Sequence, residues 1–119
     1  MKIISSSKLP KRDYCRAAEC RFDFDQIAKK LRAIPIQGNF HDGLPIPNQY
    51  TGICIELSSG RYANLLQTEM RKSVIEIGLE ILDDEFFYEE DLLEIIAELE
   101  IEEDYVKRIQ GDFTWIPRS

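Results

Sequence analysis

The chain has 119 residues, a net charge of −7, 44% hydrophobic residues and 31% charged residues. This length predicts a single domain, residues 1–119, with an ordinary hydrophobic core, and the composition argues against wholesale disorder. No apolar run approaches the roughly 18 residues of a membrane span, and the first residues lack the apolar core of a signal peptide. We therefore expect a cytoplasmic protein that does not contact a membrane.

The three cysteines, Cys15, Cys20 and Cys54, are odd in number and lack CxxC spacing. They predict reduced thiols, because a disulfide framework or a zinc site needs paired or regularly spaced cysteines. His41 is the only histidine, and the sequence has no glycine-rich phosphate loop, GxSxG or HExxH motif. We expect no metal and no cofactor, and a catalytic site only if Cys54 and His41 meet in the fold.

The first third of the chain predicts one short strand and two helices. KIIS, residues 2–5, favours a strand, and DYCRAAECR, residues 13–21, favours a helix after Pro10. Residues 23–34 have apolar side chains at helical spacing, with Asp23 or Asp25 as the N-cap. Charge in this region is mostly basic, but the overall negative charge repels phosphate, so we expect no direct binding to nucleic acid.

The middle of the chain contains one ambiguous segment. Residues 36–49 read as a long loop, and residues 50–58 alternate between apolar and polar side chains as a strand does. Residues 61–82 favour one long helix, because no turn signal separates Arg71 from Ser73. Residues 75–81 also alternate perfectly, so a strand is the alternative there, and Gly78 is the weak point of the helix prediction.

A further helix is predicted at residues 89–99, with Leu92, Ile95, Ile96 and Leu99 on its buried face. DYVKRI favours a short helix, and FTWIP favours a terminal strand or extended arm that packs Trp115 onto the domain. The resulting fold class is α+β, a helix-rich single domain with a small sheet.

Residues 83–104 hold twelve carboxylates in 22 residues and no Lys, Arg or His. On the predicted helix Glu90, Glu94, Glu98 and, if the helix continues, Glu102 form a row at i, i+4 spacing, bordered by Asp91. Like charges at this spacing destabilise a helix by about 1 kcal/mol in all. The last acids of the row also lie at the helix end that the dipole makes unfavourable for negative charge. Local helix physics does not explain them.

Three interpretations of this acidic segment are open. It is a solvated helix face, partly neutralised by the basic N-terminal region, a docking surface for a basic protein, or a metal site. An EF-hand loop is excluded, because aromatic residues stand where oxygen ligands belong and the segment has no glycine.

Phe86, Phe87 and Tyr88 are consecutive and cannot all face one core. At least one should reach the surface, where aromatic side chains often anchor protein interfaces. In the alternative interpretation two of them pack inward and Tyr88 covers the start of the helix.

The stretch DDEFFYEEDLLEIIAELEIEED resembles the small acidic immunity proteins of bacterial contact-dependent inhibition and other polymorphic toxin systems. The resemblance implies a stoichiometric inhibitor, not an enzyme, that binds the basic domain of a cytosol-acting, nuclease-type toxin. The candidate partner-binding residues are Phe86, Tyr88, Glu90, Asp91, Glu94, Glu98 and Glu102. The alternatives are a nucleic-acid-mimic inhibitor from a phage or mobile element, and an enzyme with a Cys54/His41 site.

Overall fold

The computed structural model describes residues 1–4, 13–37, 50–68, 73–79, 86–109 and 114–117. The described residues form nine strands: β1 (Lys2–Ile4), β2 (Asp13–Cys20), β3 (Ile36–Gln37), β4 (Tyr50–Glu56), β5 (Tyr62–Thr68), β6 (Ser73–Leu79), β7 (Phe86–Tyr88), β8 (Val106–Arg108) and β9 (Thr114–Ile116). They also form two α-helices, α1 (Phe24–Leu31) and α2 (Glu89–Leu99), and a 3₁₀ turn at Glu103–Tyr105. The fold is α+β, and none of its described helices is long and apolar enough to cross a membrane.

One antiparallel sheet dominates the structure, with strand order β1-β4-β5-β6-β2-β8. β1 pairs with the end of β4, at Cys54, Ile55 and Glu56, and β3 pairs with its start, at Thr51 and Gly52. These two short strands therefore share one edge of β4. At the other edge of the sheet, β8 pairs with the carboxyl-terminal half of β2. A separate two-stranded parallel sheet joins β7 to β9. β7 leads directly into α2, so this small sheet fixes where α2 begins.

The expectation of a helix-rich domain with a small sheet is wrong, since strands outnumber helices and the sheet is the larger element. The main cause is the segment predicted as one helix over residues 61–82, which forms the neighbouring strands β5 and β6. Both strands are buried on both faces, with Leu65 and Leu66 each at most 1% exposed. In β5, burial on both faces puts apolar residues at most positions, so alternation is lost. In β6 the alternation is present, and the strand given as the alternative for residues 75–81 is the one that the structure supports, over Ser73–Leu79.

Two further helix predictions are wrong. DYCRAAEC forms β2, a strand inside the sheet, with a register shift between Arg16 and Ala18. Ala17 and Ala18 favour a helix intrinsically but are completely buried here, so tertiary packing overrides local preference. DYVKRI does not form a helix of its own: its first residues end the 3₁₀ turn, and Val106–Arg108 form β8.

Other predictions are confirmed. β1, β4 and β9 each form inside the segment predicted to be extended, and α2 spans residues 89–99 as expected. α1 is capped by Asp23, whose carboxylate accepts hydrogen bonds from the backbone N–H groups of Asp25 and Gln26 at 3.0 and 3.3 Å. Of the predicted loop at residues 36–49, the first two residues form β3 and residues 38–49 lie outside the described residues.

The hairpin between β4 and β5 replaces the helix start predicted near Arg61. The backbone N–H of Leu57 donates to the Arg61 carbonyl at 2.8 Å, and that of Gly60 donates to the Leu57 carbonyl at 2.9 Å. Gly60 has a φ of 88°, a conformation that a side chain disfavours. Ser58 and Ser59 therefore lie in a tight turn rather than at a helix N-terminus.

The main core lies between one face of the sheet and both helices. The sheet contributes Ile53, Ile55, Ala63, Leu65, Ile75 and Ile77, the turn after β4 contributes Leu57, and the helices contribute Phe24, Ile27, Ala28, Leu92, Ile95, Ile96 and Leu99. All four residues predicted for the buried face of α2 are in this core, so that prediction is confirmed.

Substituting Leu65→Ala should lower the free energy of unfolding by about 2–5 kcal/mol, because this side chain is completely buried and its loss leaves a cavity. Ile34→Ala is the control, since Ile34 is 91% exposed and its truncation should change stability by less than about 0.5 kcal/mol. Urea denaturation followed by circular dichroism measures both. Equal losses in the two variants would contradict the position of the core.

Candidate partner-binding surface

The first turn of α2 is bound to the rest of the protein through Arg61. Its Nε donates to Asp91 Oδ2 at 2.7 Å, and its guanidinium stacks 3.8 Å above the ring centroid of Tyr88. Asp91 is 1% exposed, and its second carboxylate oxygen accepts a hydrogen bond from Ser59 Oγ at 2.7 Å. Arg61 also reaches Glu90, at 3.5 Å. These contacts attach the β4–β5 hairpin to α2, since Ser59 and Arg61 both belong to that turn.

A second arginine, Arg108 of β8, pairs with the same end of α2. Its Nε and one terminal nitrogen donate to the two oxygens of Glu89 at 2.7 and 2.8 Å, a bidentate contact. It also reaches Glu103 at 3.3 Å. The hydrogen bond that Arg108 donates to Glu89 is the main reason that the pKa of Arg108 is raised above its ordinary value; burial opposes this, and the hydrogen bond to Glu103 adds to it.

Glu94 is also used inside the fold. Both of its carboxylate oxygens lie 3.1 Å from the backbone N–H of Ser58, and its Oε2 is 3.8 Å from the amino terminus at Met1. The carboxylates from Glu89 to Glu94 thus hold α2 against β8, the hairpin and the chain start. The acidic segment is partly neutralised, but mainly by Arg61 and Arg108 and not by the basic N-terminal region as predicted. From that region, among the described residues, the Met1 amino group reaches Glu94 and Lys30 reaches Glu100.

The predicted row of carboxylates therefore divides into two parts. Glu90, Asp91 and Glu94 contact the protein itself, whereas Glu98 and Glu102 are exposed. α2 ends at Leu99, and Glu100 follows in the left-handed region with a φ of 54°. Glu102 thus does not continue the helical row but begins a new segment.

The three consecutive aromatics alternate as a strand requires. Phe87 is buried and packs against Trp115, with ring centroids 5.0 Å apart, whereas Phe86 is 37% exposed. Tyr88 is half-buried beneath Arg61. The prediction that at least one of the three reaches the surface is confirmed by Phe86. Tyr88 serves the fold through its contact with Arg61.

The last turn of α2 and the residues that follow it carry an exposed group that we call the outer acidic surface: Glu98, Glu102, Asp104 and Tyr105. The three carboxylates are exposed and make no side-chain hydrogen bond or ion pair with any described residue. Tyr105 is 53% exposed, the most exposed aromatic side chain in the described part of the chain. Asp104 and Tyr105 were missed because DYVKRI was interpreted as a helix. The signal that could have indicated them is an aromatic residue directly after an acidic run.

An open groove of about 900 Å³ runs beside this surface. It lies between the carboxyl-terminal end of β2, the start of α1 and the 3₁₀ turn. Its lining residues are Glu19, Cys20, Arg21, Phe22, Asp23, Ser73, Asp104, Tyr105 and Lys107. The groove is therefore continuous with the outer acidic surface through Asp104 and Tyr105.

The thiols of Cys20 and Cys54 are protonated in this fold at neutral pH. Burial raises the pKa of Cys54 to about 11, partly offset by a contact with the Tyr14 hydroxyl, and burial next to Glu19 raises the pKa of Cys20 to about 12. A protonated thiol is a poor nucleophile. His41, the other member of the alternative catalytic site, lies outside the described residues. No group of three or more His, Cys, Asp or Glu side chains within the described ranges could hold a metal ion.

Comparison with protein families, with characterised proteins and with solved structures gave no match.

Asp91→Ala should lower the free energy of unfolding by about 2–3 kcal/mol, because it leaves the half-buried Arg61 and the Ser59 hydroxyl without their partner. Glu98→Ala, on the same helix, should change it by less than about 0.5 kcal/mol. Thermal and urea unfolding of both variants test the difference. If the two variants lose equal stability, the division of α2 into a paired and an outward-facing part is wrong.

Iodoacetamide should modify Cys54 at least about 100-fold more slowly in the folded protein than in the urea-unfolded chain at pH 7.5. The native pKa of about 11 against an ordinary 9.0 lowers the thiolate fraction by that factor, and burial restricts access further. The native rate should rise with pH until the pH approaches 11. Mass spectrometry of the peptide that contains Cys54 measures the rates. Equal rates in the folded and unfolded states would show an accessible, reactive thiol.

Proposed function

We propose that this protein is a stoichiometric inhibitor that binds a basic protein partner through its outer acidic surface, and that it acts in the cytoplasm as an immunity protein against a nuclease-type bacterial toxin. The observation that carries the proposal is the division of the acidic segment. Carboxylates at the start of α2 stabilise the fold, whereas Glu98, Glu102 and Asp104 are exposed and make no side-chain hydrogen bond or ion pair with a described residue.

The outward-facing carboxylates are placed where they do not help the protein's own stability. The carboxyl-terminal end of a helix carries a partial negative charge that favours Lys or Arg. α2 has no basic residue in its last turn, whereas α1 has Lys29 and Lys30 there. Negative charge at this end therefore needs an explanation outside the helix, and a basic partner supplies one.

The proposed mechanism is electrostatic steering followed by docking. The nucleic-acid groove of a nuclease is lined by Lys and Arg, which bind phosphates. A row of exposed carboxylates attracts such a groove from a distance and speeds association. Tyr105 then provides apolar area at the centre of the contact, in the way that aromatic anchors do in protein interfaces. An occupied groove no longer binds nucleic acid, so inhibition needs no catalytic step.

Glu98→Lys should slow association with the partner by about threefold to tenfold and make the rate less sensitive to salt. The same substitution should raise the free energy of unfolding by about 0.3–1 kcal/mol, because Lys suits the helix dipole. Slower association therefore cannot be attributed to a damaged fold.

Glu90→Lys is the matched control, because it makes the same change in net charge two turns away on the same helix. Its side chain lies beside Arg61, outside the outer acidic surface, so it should slow association much less. The partner is first captured from native lysate at about 50 mM salt, released at about 500 mM, and identified by mass spectrometry. Stopped-flow mixing of the purified proteins then gives the rates. Equal rates for wild type and both variants would exclude this surface.

The identity of the partner tests the remainder of the proposal. A toxin domain whose nuclease activity is lost in a 1:1 complex is the expected result. A nucleic-acid enzyme of the host instead would contradict the immunity role and favour the nucleic-acid-mimic alternative.

A further inference from the structure

We propose that the groove beside Tyr105 is a subsite for an arginine side chain of the partner protein, held between the Tyr105 ring and the carboxylate of Asp104. This inference rests on the proposed function, since it names the part of the basic partner that docks. It concerns a concave site next to the outer acidic surface, not the surface charge as a whole.

The charges that line the groove favour a cation. Glu19 and Lys107 lie directly opposite each other across β2 and β8, so their opposite charges offset one another. The remaining charged residues of the lining are one cation, Arg21, and two carboxylates, Asp23 and Asp104. Exposed Glu102 adds negative charge at the start of the 3₁₀ turn. The groove is therefore negative overall, and its acidic side is the side that also carries Tyr105.

The protein itself shows how a tyrosine and an aspartate together hold a guanidinium group. Arg61 stacks 3.8 Å above the Tyr88 ring while its Nε donates to Asp91 at 2.7 Å, with Glu90 nearby. Asp104 and Tyr105 offer the same two chemical groups, with Glu102 in the place of the additional acid. In the described ranges no Lys or Arg side chain stacks on Tyr105 or pairs with Asp104. The second tyrosine–aspartate pair thus lacks the cation that the first one has.

The size and walls of the groove suit a side chain from another protein. Its volume of about 900 Å³ lies within the range of roughly 300–1,000 Å³ typical of binding clefts, so it has room for an arginine and part of its backbone. Half-buried Phe22, stacked on Phe24 with centroids 6.3 Å apart, gives a rigid apolar wall for the aliphatic part of the side chain.

Arginine fits this site better than lysine. Its planar guanidinium can stack on an aromatic ring and donate two parallel hydrogen bonds to a carboxylate at the same time, whereas an ammonium group is a strongly hydrated point charge. Discrimination between arginine and lysine therefore separates a built subsite from general attraction to negative charge.

The test is a titration of the full chain with the dipeptide probe acetyl-Arg-Arg-amide, followed by ¹H–¹⁵N NMR, with acetyl-Lys-Lys-amide as the charge-matched probe. The expected result is saturable shifts confined to the amides of Phe22, Asp104 and Tyr105, and at least fivefold weaker binding of the lysine probe. Equal affinity for both probes, or shifts spread over α2 from Glu90 to Glu98, would overturn the proposal.

Variants of Tyr105 distinguish the contribution of its ring to binding from that of its hydroxyl, and a control variant distinguishes both from a general effect on the fold. Tyr105→Leu should weaken the arginine probe at least fivefold, while Tyr105→Phe should retain binding, because the ring and not the hydroxyl faces the cation. Phe86→Ala is the control, since Phe86 is also a partly exposed aromatic residue but belongs to β7 and does not line the groove. Loss of affinity equal to that of Tyr105→Leu in this control would count against the groove.

This experiment uses no natural partner, so its failure is distinguishable from failure of the proposed function. If the arginine probe does not bind the groove but Glu98→Lys still slows association with the partner, the subsite is overturned and the docking surface stands. If the probe binds as expected, the subsite is supported even where the captured partner is not a toxin.

Discussion

The contact on which the arrangement of this protein depends is the one between Arg61 and Asp91. Arg61 comes from the β4–β5 hairpin and Asp91 from the first turn of α2, 30 residues later, and the pair is 2.7 Å apart with the carboxylate 1% exposed. Tyr88 beneath the guanidinium and Ser59 on the second carboxylate oxygen complete the contact. Asp91 fixes the first turn of α2, and Ile95, Ile96 and Leu99 pack its last turns into the core. Glu98 lies between these buried residues in sequence and remains exposed.

The sequence was informative where the apolar residues of an element keep one clear period. α1 and α2 each have one apolar face and one polar face, so helical spacing identified them, and Asp23 identified the start of α1. β5 is buried on both faces and has apolar residues at most of its positions, which removes the alternation that identifies a strand. β6 keeps its alternation, but the apolar residues of residues 61–82 also fit helical spacing, so the pattern did not decide between helix and strand. Leu66 and Val74 face away from the helices in a second buried cluster with Cys54. A sequence pattern that assumes one apolar face does not predict a sheet that is buried on both faces. β2 was missed for a different reason, because its alanines pack between layers while their intrinsic preference is helical.

Half of the candidate site could be predicted from the sequence. The excess of negative charge and the exposure of at least one residue among Phe86–Tyr88 follow from local sequence. Which acids remain available does not, because that depends on Arg61 and Arg108, which reach α2 from other strands. A run of like charges predicts a surface, but only long-range pairing decides which members of the run stabilise the fold. Tyr105 was not predicted as a surface residue because DYVKRI favours a helix, and an aromatic residue within a helix is first assigned to a core.

The two helices of the chain provide an internal comparison for the proposed function. Both end with a non-glycine residue in the left-handed conformation, Arg32 after α1 and Glu100 after α2, with φ of 53° and 54°. α1 ends in basic residues that suit its dipole, and α2 ends in acids that oppose it. Lys30 pairs with Glu100 at 3.0 Å, but both side chains are substantially exposed, so this contact stabilises α2 little. Within one protein, therefore, the same structural position is optimised for stability in one helix and not in the other. A basic partner that covers the end of α2 would make the net electrostatic energy of these acids favourable, because they would then face positive charge from the partner as well as the negative end of the helix dipole.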